Sequence, residues 1–276
     1  MDELIPQALR AVAAVADRLG LKAVDAVVIH SGMNEIVHLA PHPIVARVMG
    51  ETARVRDGSR LAESLDVAHY MARRGVPITP LATLVDPGPH ESDGVYMTLW
   101  EHLEMAGGGL GDPSDAGQAL KALHEAGADC PVPVSGHTPT TEIRKLAASQ
   151  PRPTEADRMI ELLDAIAVPD LPKVWLHGDA HLGNFLQTTT GSFWGDWEEA
   201  WFGPVAWDLA CLAQRRDVFG EVVTETDAAL AAYGPFDAEA VAAYMPLVAL
   251  WIAAWGMAVA PSERSRHRLD WVAQRV

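Results

Sequence analysis

A change of hydrophobic period near residue 105 constrains this chain more than any other feature. Short runs that read as strands dominate before it, and long stretches of helical spacing follow it. Residues 5–19 are rich in Ala, Leu and Arg at helical spacing and stop at Gly20, a common helix terminator. Three strand-like runs follow at 26–30, 35–39 and 44–49, separated by the turn signals Ser31-Gly32-Met33-Asn34 and Ala40-Pro41-His42-Pro43. A helix is expected from about Ser59 to Arg74. Two more strands are expected at 82–85 and 94–100, parted by a turn rich in Pro, Gly and Asp. Ala106 to Gly111 reads as a flexible connection, and Asp112-Pro113-Ser114 as a helix start. Beyond Ala116 the chain is mostly helical, with amphipathic stretches at 117–125 and 155–166 and a proline-containing loop at 128–140. Residues 173–197 interrupt the helical half with strand and loop character. The expected fold class is α+β in two lobes: a small antiparallel sheet over 1–102, then a mainly helical lobe over 103–276.

Charge narrows the partners. With 21 basic against 37 acidic side chains, the net charge of −16 opposes a nucleic-acid or anionic-membrane surface, both of which need clustered Lys and Arg. Two cysteines are too few for a disulfide framework, and the acidic start Met1-Asp2-Glu3 lacks a signal peptide's basic region, so a cytoplasmic protein is expected. Residues 244–260 carry no charge, but Pro246 and Gly256 interrupt them and their length is at the short edge of a membrane span. A buried helix is the expectation there, with no membrane partner.

The chemistry concentrates in the interruption. Val174-Trp175-Leu176 is a short apolar strand that delivers His177-Gly178-Asp179-Ala180-His181-Leu182-Gly183-Asn184, with a carboxylate and, five positions on, a carboxamide. Twelve residues after Asn184, a second strand ends in Asp196-Trp197-Glu198. One carboxylate to orient an acceptor, with hard oxygen donors for a divalent cation close behind, is what phosphoryl transfer demands. His177, Asp179 and His181 at alternate positions also leave open a zinc or iron set and a metal-dependent hydrolase.

HGDAHLGN at 177–184, Asp196-Trp197-Glu198, and Gly203-Pro204-Val205-Ala206-Trp207-Asp208-Leu209-Ala210 together resemble the aminoglycoside phosphotransferase and choline kinase-like family. The resemblance covers about residues 20–276 and implies the protein-kinase-like fold. It further implies transfer of the γ-phosphoryl group of ATP, or GTP, to the hydroxyl of a small molecule. It makes Asp179 the catalytic base, Asn184 and Asp196 the Mg²⁺ ligands, and Asp208 a brace for the catalytic-loop backbone. The first lobe then binds the nucleotide, which is expected between the lobes.

In kinases a third-strand lysine meets the phosphates and pairs with a helix glutamate. This third strand offers Arg47, whose planar head contacts phosphate bidentately, and Glu63 is the expected partner. Ser31, in the turn after the first strand, is expected over the phosphates, though a plain hairpin turn explains it nearly as well. The adenine is expected against backbone groups near Glu101 and Leu103. Glu198 and Glu199 could support Mg²⁺ or face a cationic substrate. Trp251 and Trp255, four apart on one helix face, are expected in the core or as an aromatic wall beside the acceptor. The acidic balance favours an amine-bearing acceptor such as an aminoglycoside or another antibiotic. An amino alcohol or sugar, or a pseudo-kinase that binds nucleotide without transfer, remains open. A monomer or homodimer is expected.

Overall fold

The computed structural model describes residues 4–56, 58–221 and 223–276. Two compact units divide the chain: residues 1–109 with 187–198, and residues 110–186 with 199–276.

In the first unit, helix α1 (Leu4–Arg18) precedes strands β1 (Asp25–Ser31), β2 (Asn34–Ala40) and β3 (Ile44–Met49). Helix α2 (Gly58–Arg73), β4 (His90–Ser92), β5 (Val95–Glu101) and β6 (Met105–Leu110) follow. The first five strands form one antiparallel sheet in the order β1-β2-β3-β5-β4. Side chains alternate across a strand, so Ile44, Ala46 and Val48 of β3 point one way into a core with Val37, Leu39, Met97 and Leu99. Ala8, Ala11, Val12, Val15 and Ala16 of α1 cover that face. Arg47 sits out of phase with these core residues, opposite Ile36 and Thr98, and is thereby delivered to the other face of the sheet.

The second unit runs through helices α3 (Pro113–Ala128), α4 (Pro139–Ala148) and α5 (Pro153–Ala165), then strand β7 (Val174–Trp175). Strand β8 (Phe185–Thr188) crosses into the first unit, where β9 (Gly191–Trp194) follows. The chain then returns through β10 (Phe202–Gly203) to α6 (Val205–Phe219), α7 (Thr224–Tyr233), α8 (Ala238–Val259) and α9 (Glu263–Ala273). The Asp-Pro-Ser start is realised: Asp112 caps α3 by accepting from Ser114 N, with Pro113 at the first helical position. Helix α8 is long and apolar enough to cross a membrane, yet 72% of its most apolar window is buried, packed by α4, α5, α6 and α9.

Three expectations change. Residues 82–85 form no strand; Leu81 makes a single bridge to Trp100 and Ala82 N donates to Leu99 O at 3.1 Å, and the prolines at 77, 80, 87 and 89 on either side cut the pairing short. The glycine run expected to be a flexible connection is strand β6, in a three-stranded sheet ordered β6-β8-β9. Extending glycine carries an entropic cost, which the hydrogen bonds of a partner strand offset. The division also falls at 109/110 rather than 102/103, and residues 187–198 join the first unit. Trp194 N donates to Pro77 O and Thr79 N to Trp194 O, both at 2.9 Å, which stitches that segment to the chain after α2.

Candidate active site

In the second unit, β7 and β10 pair antiparallel, Trp175 opposite Phe202, and launch the loop 177–184. Asp208, in the first turn of α6 and fully buried, braces this loop. Its Oδ2 accepts from His177 N at 2.9 Å and lies 3.0 Å from His124 Nε2, while Oδ1 accepts from Gly178 N at 2.9 Å. His124 Nδ1 in turn lies 2.9 Å from the Tyr233 hydroxyl. Trp207, beside Asp208, donates its indole N–H to Gly178 O at 2.7 Å, so both peptide groups of the glycine are held. Gly178 has φ +89°, and a Cβ there would stand 1.9 Å from Glu199 O. That contact explains why glycine occupies the position between His177 and Asp179. Replacing Asp208 by Asn puts an amide N–H against a loop N–H. It is expected to cost about 3 kcal/mol and to lower Tm by roughly 5–10 °C in thermal denaturation.

The brace leaves Asp179 partly exposed, with 22% of its side chain accessible. Asn184 Nδ2 donates to Asp179 O at 2.9 Å and more weakly to Oδ2 at 3.4 Å. The amide nitrogen is thus turned to Asp179, which leaves the Asn184 carbonyl oxygen as an acceptor. The loop brings these two expected residues together. His177 is turned inward and fully buried, and its Nδ1 accepts from Asp179 N at 3.3 Å. It therefore does not converge with His181. No group of three His, Cys, Asp or Glu among the described residues is placed to hold a metal ion, so the zinc or iron set is not formed.

In the first unit, Arg47 Nη2 meets Asp196 Oδ1 at 2.5 Å and Glu198 Oε1 at 3.2 Å. Asp196, two residues beyond the end of β9, adopts φ +61°, a left-handed conformation rare outside glycine. Glu198 Oε1 also accepts from Asn34 Nδ2 at 2.5 Å and lies 3.7 Å from Arg56 Nη1. Burial alone would raise the Glu198 carboxyl, but the Arg47 and Arg56 charges and the Arg47 and Asn34 hydrogen bonds hold it below its ordinary value. Glu63, the expected partner of Arg47, is engaged one helical turn back by Arg60 Nη1 at 2.7 Å.

The remaining expected residues are placed as follows. Ser31 ends β1, and its hydroxyl donates to Glu35 Oε1 at 3.0 Å across the β1–β2 hairpin. Glu101 Oε1 accepts from Thr83 N and Oγ1, both at 2.8 Å. The N–H groups of Glu101 and His102 donate to Pro80 O and Pro43 O, each at 2.9 Å. No bond of this kind involves Leu103 N, the next amide along, among the described residues.

Trp251 and Trp255 are buried, as a core stripe would be, but both also serve a carboxylate. Their indole N–H groups donate to Glu142 Oε2 at 2.6 and 3.1 Å, and Glu142 is 1% exposed. The Trp251 ring meets Trp207 edge-on, with centroids 5.7 Å apart, and Trp207 is the residue whose indole N–H holds the braced loop. Sequence reasoning missed Asn34, Arg56, His124 and Glu142. Only Glu142 carried a local signal, an acidic residue in the first turn of a helix that begins Thr138-Pro139.

A buried aspartate bracing a loop that carries Asp and Asn, beside a helical core, and an arginine–carboxylate pair on a small antiparallel sheet define a kinase-like phosphotransferase. The chain belongs to the phosphotransferase enzyme family APH, whose sequence profile matches residues 38–244. The choline kinase LicA from Streptococcus pneumoniae aligns at TM-score 0.65 and 16% identity, covering 95% of this chain and 98% of that one. The spectinomycin phosphotransferase APH(9)-Ia, in complex with ADP and spectinomycin, aligns at 0.59 and 14% identity, covering 95% and 92%. A microcompartment-associated aminopropanol kinase aligns at 0.61 and 14% identity, covering 95% and 94%. No curated protein matches the chain by sequence. The protein is a small-molecule kinase with the protein-kinase-like fold.

Proposed function

We propose that the protein transfers the γ-phosphoryl group of ATP or GTP to a hydroxyl of a small, amine-bearing acceptor. Asp179 takes the acceptor's proton, Arg47 meets the phosphates, and the Leu103 amide faces the base. The donors suit Mg²⁺, a hard cation that selects oxygen: the carboxamide oxygen of Asn184 and the carboxylate of Asp196. When bound, Mg²⁺ would neutralise charge on the nucleotide phosphates.

The acceptor class rests on Glu142. A buried carboxylate held by two indole N–H groups, connected through Trp251 and Trp207 to the catalytic loop, supports an ammonium-bearing acceptor through its negative charge rather than by direct contact. The acceptors named for two similar structures, choline and aminopropanol, each join a cationic nitrogen to a hydroxyl group. The test is an ATP- and GTP-consumption screen over aminoglycosides, other hydroxylated antibiotics, amino alcohols and neutral sugars. Turnover confined to neutral sugars would refute the amine assignment. With the acceptor found, Glu142→Gln is expected to raise its KM about tenfold with a smaller change in kcat.

A further inference from the structure

We infer that Glu198, rather than a glutamate of helix α2, is the residue that positions Arg47 for the nucleotide phosphates. The inference rests on the kinase reading above and names a working part within it. Arg47 is held by two carboxylates through the same Nη2, and the two differ in kind. The Asp196 side chain is 30% exposed and that of Glu198 only 6%. An exposed carboxylate can exchange a guanidinium for a cation at little cost, whereas a buried one that loses its partner is left uncompensated.

Glu198 is also fixed by its own surroundings. Asn34 Oδ1 accepts from Thr52 Oγ1 at 2.6 Å and from Gly50 N at 3.2 Å. Those two donors determine which way the amide faces, so its NH₂ group must point at Glu198, 2.5 Å away. Arg60 Nη2 reaches the backbone carbonyl of Glu198 at 3.4 Å, and Arg56 supplies a second positive charge to its carboxylate. The same Arg60 holds Glu63. The carboxylate that a kinase would draw from a helix is supplied here from two residues beyond Asp196. One short segment then carries both a partly exposed carboxylate that can release the arginine and a buried one that keeps it aimed.

Titration calorimetry with ATP tests this on the full-length protein, with and without Mg²⁺ and with no acceptor present. Glu198→Gln is expected to weaken ATP binding about tenfold, by a similar factor in both conditions, because what is lost is the aim of an arginine at phosphate. Asn34→Ala, which keeps every charge but removes the donor to Glu198 together with the acceptor for Thr52 and Gly50, is expected to give a smaller loss of the same kind, about threefold. Glu63→Gln is expected to fall short of the Glu198 effect. Three results would overturn the inference: a loss seen only with Mg²⁺, which makes Glu198 a metal ligand; an equal or larger loss in Glu63→Gln; or an unchanged Kd with only a reduced binding stoichiometry, the mark of a purely structural role. A wild-type protein that binds neither ATP nor GTP would refute the nucleotide reading itself. Normal wild-type binding with an unaffected Glu198→Gln would refute this inference alone.

Discussion

Asp179→Asn is expected to lower kcat by about 10³-fold while leaving nucleotide Kd within about twofold, since a positioned general base contributes on the order of 10²–10⁴. The substitution is isosteric, and the structure says what it leaves intact. The loop backbone is held by Asp208 and Trp207 and not by the Asp179 carboxylate. Asn184 bonds chiefly to the Asp179 backbone carbonyl at 2.9 Å, and only at 3.4 Å to the side chain. The variant should therefore fold with an unchanged Tm and lose the step in which the acceptor hydroxyl gives up its proton. Steady-state kinetics with the acceptor identified in the screen, together with nucleotide titration, separate the two effects. A kcat within threefold of wild type would remove Asp179 from the mechanism. A matched fall in nucleotide affinity would show that it acts on binding instead.

The loop around Asp179 was readable in the sequence because its logic is local. Eight residues carry the carboxylate, the carboxamide and the glycine, and Asp208 follows in a recognisable motif. The period-two runs also located β1, β2, β3 and β5, since burial on one face writes itself into alternation. What could not be read is long-range. Asn34 and Glu198 are 164 positions apart, and no spacing rule joins them. The kinase analogy places the partner of Arg47 on a helix, whereas Arg60 and Glu63 stand three apart on α2, a helical spacing that pairs them with each other. Strand β6 was hidden for a related reason. Its glycines carry no side-chain pattern, and the edge that takes their hydrogen bonds lies some eighty residues away in β8. The fate of residues 187–198 likewise depended on Trp194 meeting the segment after α2.

Asp196→Ala is expected to have the largest effect of all on turnover, with kcat falling below detection, and a distinctive effect on binding. In its proposed role as a metal donor Asp196 would contribute only when Mg²⁺ accompanies the nucleotide, so affinity for Mg·ATP is expected to fall at least about tenfold. Affinity for ATP without Mg²⁺ should hold or rise. Two things change for the metal-free nucleotide, and both favour it. A carboxylate that repels the phosphates is gone, and Arg47, now relieved of its 2.5 Å contact with Asp196, keeps only its contact with Glu198 among the two carboxylates. The left-handed conformation of Asp196 at φ +61° is also less suited to alanine, so a modest fall in Tm should accompany the change. Calorimetry with and without Mg²⁺ reads the two affinities directly. Parallel losses in both conditions would mean that Asp196 orders the arginine and not the metal, and that the two carboxylates beside Arg47 share one task. A loss confined to Mg²⁺ in Asp196→Ala, beside an equal loss with and without Mg²⁺ in Glu198→Gln, would show the division of labour that their unequal burial implies.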